Sequence, residues 1–197
     1  MNTKNLKLSA LFAVAALLPV LAQAHPGHGP ATSFAAGMSH PLHGLDHILV
    51  MIAVGLWAAQ MGGRALWVVP TTFVSLMTIG GAMGMAGVHL PMVETGILVS
   101  VIAMGVLIAT AARLPMAVSM ALVGVFAIFH GHAHGTEIPM AASGLTYALG
   151  FIAATAFLHA CGIGLGLLAQ KRFSPPAIRF AGVMIVVCGL GMWAGIM

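Results

Sequence analysis

The chain has 197 residues, of which 60% are hydrophobic and only 5% charged, and its mean hydropathy is +1.08. Soluble domains carry roughly a quarter of their residues as charges, so this composition excludes a soluble enzyme or binding module and indicates a polytopic membrane protein. The net charge of +4 then marks topology and not a nucleic-acid partner, and the two cysteines, Cys161 and Cys188, lie in apolar stretches and set up no disulfide framework.

At the N-terminus, Lys4 and Lys7 precede an apolar run from Leu8 to Leu21, followed by Ala22-Gln23-Ala24. A charged n-region, an h-region and an A-x-A site read as a signal peptide over residues 1–24. The alternative is an uncleaved first helix. Cleavage would start the mature domain, 25–197, at His25 outside the cytoplasm. Its opening His25-Pro26-Gly27-His28 would pair a free amine with one imidazole and add a second. This arm either closes on a metal or is a solvated tail.

Six apolar segments follow, near 44–61, 65–87, 92–112, 115–133, 142–169 and 177–196. Each, at about 20 residues, spans ~30 Å of hydrocarbon. The expected fold is all-α integral membrane, a compact bundle of six transmembrane helices after the signal peptide. Gly62-Gly63-Arg64, His89-Leu90-Pro91, Arg113-Leu114-Pro115, Ile138-Pro139 and the run 171–176 punctuate it. Counting from an outside N-terminus puts Arg64, Arg113, Lys171, Arg172 and Arg179 all on the cytoplasmic side, as the positive-inside rule demands. Trp57 and Trp67 are expected at the inner interface and Trp193 at the outer one. Gly80/Gly84, Gly162/Gly166 and Gly191/Gly195 form three small-xxx-small faces for close helix contacts.

The ten histidines and three acids fall mostly at the other ends of these helices. Two clusters dominate, His40-Pro41-Leu42-His43-Gly44-Leu45-Asp46-His47 and Phe129-His130-Gly131-His132-Ala133-His134-Gly135-Thr136-Glu137. Ionisable groups inside membrane segments are costly and mark function. Imidazole with carboxylate suits divalent transition metals. At ~1.5 Å per residue, Asp46, His47, Glu94 and His130 all stand roughly 26–28 Å above the cytoplasmic arginines, while His159 lies roughly 18 Å up, near mid-membrane. His43 and His47 are i, i+4, as are His130 and His134, with Glu137 continuing that face if the helix passes Gly135. His132 points elsewhere. Two facing stripes would build a His/carboxylate site at the outer mouth.

Simpler roles stand beside these. His159 is equally a hydrogen-bonded structural group, and His28 and His43 are plausible solvated mouth residues. Glu94 suits the first turn of a helix as a favourable charge. The fifteen methionines are scattered and read as packing rather than copper(I) ligands.

His40, Asp46 and His47 spell H-x5-D-H, and Phe129, His130, Gly131, Ala133, His134, Gly135 and Glu137 spell F-H-G-x-[AV]-H-G-x-E. In these motifs, and along the whole mature region, the chain resembles the HupE/UreJ family of nickel and cobalt permeases. The resemblance implies uptake of Ni2+, or Co2+ in some members, across a bacterial inner membrane. The metal would supply hydrogenase, urease or cobalamin synthesis, with their cytoplasmic metallochaperones as partners. The ion would be substrate, with no catalytic cofactor and no enzymatic activity. The residues themselves do not choose between nickel, cobalt and zinc. No G-x-x-x-x-G-K-[ST] motif is present, so transport would be facilitated or secondary. The candidate ligands are His25, His28, His40, His43, Asp46, His47, Glu94, His130, His134, Glu137 and His159. The rival from another class is an intramembrane zinc hydrolase with Glu137 or Glu94 as general base. A third reading is a metal sensor or binding subunit. Ligands running from the arm to mid-membrane describe a path better than one centre.

Overall fold

The computed structural model describes residues 30–138, 142–172 and 176–196. The signal-peptide reading of 1–24, and the arm with His25 and His28, lie outside the described residues. Seven α-helices, and no strand, are found among the described residues: α1 (Pro30–Ser39), α2 (Leu45–Met61), α3 (Ala65–Met85), α4 (Val93–Thr110), α5 (Met116–Thr136), α6 (Gly144–Arg172) and α7 (Pro176–Trp193), with a 3-10 turn at His40–Leu42 between the first two. In hydrocarbon each backbone polar group needs an internal partner, which apolar helices supply. Helices α3 to α7 are each long and apolar enough to cross a membrane. The 17-residue α2 meets the segment Ser33–Leu42 at 82°, and that bent pair has the composition of a sixth span. Large apolar side chains face outward along the bundle, among them Leu145, Phe157, Phe180 and Val187. A surface of this kind is stable only against lipid.

Turn geometry closes the bundle locally. Gly62 and Gly63 take φ of 71° and 53°, a left-handed backbone that glycine adopts without steric cost, and so reverse the chain into α3. Gly87, at φ 71°, ends α3 by donating to the Gly84 carbonyl while Val88 donates to that of Met83.

The main helix pairings skip neighbours in the chain: α3 lies on α5, α2 on α6, α4 on α7, and α1 on α6. Bare glycine backbone makes these approaches possible. A Cβ on Gly80 or Gly84 would stand 2.3 Å from the Ile128 carbonyl oxygen or 2.5 Å from that of His132. One on Gly162 would stand 2.2 Å from the Ile52 oxygen, and one on Gly166 would stand 2.6 Å from the Ala59 methyl. Two of the three expected glycine faces are therefore real contacts. The third is not: α7 ends at Trp193, and Gly195 lies beyond it, facing open space. The α4–α7 contact uses Gly105 and Gly182 instead.

The arginine-bearing ends gather on one side of the bundle, where side chains cap the end of α4. Its last carbonyls have no partner within the helix. Trp57 Nε1 donates to the Ala112 oxygen at 2.9 Å, Gln60 Nε2 to Ile108 at 3.0 Å, and Arg179 Nε to Ala109 at 2.8 Å. Gln170 Nε2 donates to the Ala59 oxygen at 2.8 Å across the α2–α6 contact. Trp57 is thus fully buried and is no interface anchor. Its indole N–H had a carbonyl to satisfy, and that contact overrides the aromatic-belt expectation. Trp67 and Trp193 are exposed as expected.

Candidate metal centre at the histidine end

At the other end, the second motif sorts its residues by helical period. His130 and His134 point into the bundle and are buried. Gly131 and Gly135, also i, i+4, lie against α3: a Cβ on either would stand 1.9 Å from the Met77 oxygen or 2.2 Å from the Gly81 oxygen. Phe129 covers Gly96 of α4. One helix therefore presents imidazoles to the interior, backbone to α3 and a ring to α4. The helix persists past Gly135 to Thr136, and Glu137 stands just after it.

The first motif is split. His40 lies in the 3-10 turn, and Gly44 is the extended residue before α2. The expected His43/His47 stripe is broken by that turn. His43 is exposed, with its Nδ1 2.8 Å from the Ser39 oxygen, and it makes no contact with the cluster. Asp46 and His47 begin α2, with Asp46 Oδ1 2.7 Å from His47 Nδ1. A Cβ on Gly44 would stand 2.7 Å from that carboxylate oxygen, so glycine makes room for the pair.

The imidazoles form a continuous column. His40 meets His134 at 4.7 Å between ring centroids, His134 meets His47 at 4.3 Å, and His47 meets His130 at 5.0 Å. The Phe73 ring follows, 5.7 Å from His130 and 5.1 Å from His159. At the outer end, His40 Nε2 is 2.9 Å from Glu137 Oε2, and His134 Nδ1 is 3.8 Å from the same oxygen. His40, His134 and Glu137 offer ligand atoms within 4.8 Å of one another. A cavity of about 210 Å³ between α3, α5 and α6 reaches His134 and Tyr147 from the side.

Ring orientation is fixed from outside the column. His130 Nδ1 is 2.9 Å from the Phe126 carbonyl, which can only accept, so Nδ1 carries the proton and Nε2 keeps its lone pair. His47 Nδ1 is held by the Asp46 carboxylate in the same sense. His47 Nε2, His130 Nε2 and both nitrogens of His134 are buried without a hydrogen-bond partner among the described residues. His47 and His130, each anchored through one nitrogen with the other free, have the arrangement of metal-ligating histidines; His134 has no such anchor among the described residues. His132 contacts α3 instead: its Nε2 lies 2.7 Å from the Val88 oxygen, tying α5 to the end of α3, while its Nδ1 is also buried without a hydrogen-bond partner among the described residues.

Of the other expected ligands, Glu94 sits exposed in the first turn of α4 at this same end. The structure does not bring it into the column. Sequence reasoning missed Tyr147, the chain's single tyrosine. It is buried, with its ring 5.8 Å from His40 and its hydroxyl without a hydrogen-bond partner among the described residues. Its uniqueness in the composition was the available signal. It also missed α1, whose Gly37 rests on the Tyr147 backbone and roofs the site.

Comparison with known proteins follows the same lines. The family model described as HupE / UreJ protein matches residues 12–192. The chain is 43% identical over 193 residues to the protein called "Protein HupE" from Rhizobium leguminosarum bv. viciae, covering 98% of this chain and 100% of that one. No solved structure matches. Both motifs fall within the matched span, and the chain belongs to the HupE/UreJ family.

Proposed function

We propose that the chain is a permease for a divalent transition metal, Ni2+ or Co2+, taken in at the histidine end and released at the arginine end. The supporting observation is the column of imidazoles, His40, His134, His47 and His130, with rings 4.3–5.0 Å apart, in which His47, His130 and His134 keep nitrogens without a hydrogen-bond partner among the described residues. A bare cation in a membrane needs its hydration shell replaced, by several sites that each hold it weakly enough to let go. Glu137 and His40 with His134 would receive the ion, and His47 and His130 would pass it inward. Asp46 would keep His47 Nε2 available as a ligand. Glu94, exposed nearby, would add negative charge that draws cations to the mouth. The family membership supports this reading. The hydrolytic alternative gains no support, since Glu137 pairs with His40 rather than standing free as a base.

The test is uptake of radiolabelled Ni2+ at low external metal in cells expressing the chain, with expression matched. Asp46→Ala and His130→Ala should each reduce uptake about tenfold or more, the scale at which losing an orienting partner weakens metal sites. Wild-type uptake in either variant would refute the proposal.

A further inference from the structure

Below Phe73 the interior holds a second polar group with no assigned role. His159 is 2% exposed, and neither ring nitrogen has a hydrogen-bond partner among the described residues. Burying an imidazole in this way is costly unless something binds it. The chain offers the usual remedy, since His130 takes the carbonyl four residues back, but His159 makes no such bond. Thr155, one turn earlier on the same face, is fully buried. Its hydroxyl reaches only the Met77 sulfur, at 3.6 Å, a weak acceptor. Phe73 and Met77 are likewise one turn apart on α3. The pairs Phe73–His159 and Met77–Thr155 thus make two rungs between α3 and α6, with polar atoms on the α6 side. Tight backbone packing of α6 on α2, through Gly55 against the His159 carbonyl, holds this position rigidly.

We propose that His159, assisted by the Thr155 hydroxyl, is a second and inner binding station for the same divalent cation. It is separated from the outer column by the Phe73 ring. This rests on the transport reading for its purpose but not for its detection. The station explains why an imidazole is kept near mid-membrane without a hydrogen-bond partner among the described residues. An ion leaving His130 passes the ring edge and meets the next nitrogen before release.

The experiment uses the full-length protein in detergent, titrated with Ni2+ in equilibrium dialysis, and the same protein in liposomes. Wild type should bind Ni2+ in two classes of site. His159→Ala should lose one class, keep outer-site affinity within about twofold, and slow uptake. Asp46→Ala should weaken the other class. To guard against misfolding, His159→Cys is made in a Cys161→Ala/Cys188→Ala background and loaded with Co2+. A thiolate-to-cobalt charge-transfer band absent from the cysteine-free parent would place metal at this position. Undiminished stoichiometry in His159→Ala, or no such band in folded His159→Cys, would overturn the station. Wild-type protein that binds in two classes yet moves no Ni2+ would defeat the transport reading and leave the station standing.

Discussion

The two ends of the bundle treat their polar side chains differently. At the arginine end the donors of Trp57, Gln60, Gln170 and Arg179 each find a backbone carbonyl. Toward the histidine end His47, His130 and His134, and His159 below them, keep ring nitrogens without a hydrogen-bond partner among the described residues. Charge divides along the same axis, with Asp46, Glu94 and Glu137 at one end and the five described bases at the other. The division of polar groups is not complete, since Gln60 Oε1 and His132 Nδ1 are also buried without a hydrogen-bond partner among the described residues. His47 and His130 are oriented from behind by Asp46 and the Phe126 carbonyl and left open in front. On the proposed function, the difference is one between donors that join helices and imidazoles that await a cation.

The largest expected effect comes from Gly131→Ala. Its Cβ would meet the Met77 oxygen at 1.9 Å, so α5 must move off α3. Overpacking of this kind costs ~1–3 kcal/mol, and the displaced helix carries His130 and His134. Thermal unfolding in detergent should fall, and Ni2+ binding should weaken about tenfold or more. Full binding in a stable variant would break the link between glycine packing and imidazole placement. Trp57→Phe sharpens the comparison from the other end. It removes one donor from the Ala112 carbonyl and should cost about 1 kcal/mol of stability. Metal affinity measured on the same sample should not change, and a matching loss of affinity would show the ends are coupled. The smallest effect is expected at Ala111, which ends α4 with a left-handed φ of 53°. Ala111→Gly relieves strain of roughly 1 kcal/mol and should raise the unfolding temperature slightly with uptake unaltered.

Much of this arrangement was legible in the chain. The six apolar segments match helices to within a few residues, because hydrocarbon thickness and turn residues constrain their ends. The His130/His134 stripe also followed from period alone. The His43/His47 stripe did not, because Gly44 interrupts the helix that the spacing assumed. α1 was invisible because its ten residues are too short and too mixed to show a period. The Phe73 ring between His130 and His159 belongs to a third helix, and pairing between distant helices leaves no trace in spacing. Trp57 was misplaced for the same reason: its partner carbonyl is 55 residues away.

The neighbour-skipping topology also dictates the order in which the protein can mature. Helices emerging from a translating ribosome enter the bilayer one after another, yet α2 finds its main partner only in α6, and α4 in α7. When α5 has been inserted, both motifs are already in the membrane. The wall made by Tyr147, Phe151 and His159 has not yet entered the bilayer. His134 then lacks the Phe151 ring that packs on it at 4.1 Å, and α1 has no α6 to rest on. The column therefore completes only when α6 docks within the lipid, and a chain truncated before residue 144 carries both motifs without the wall that encloses them.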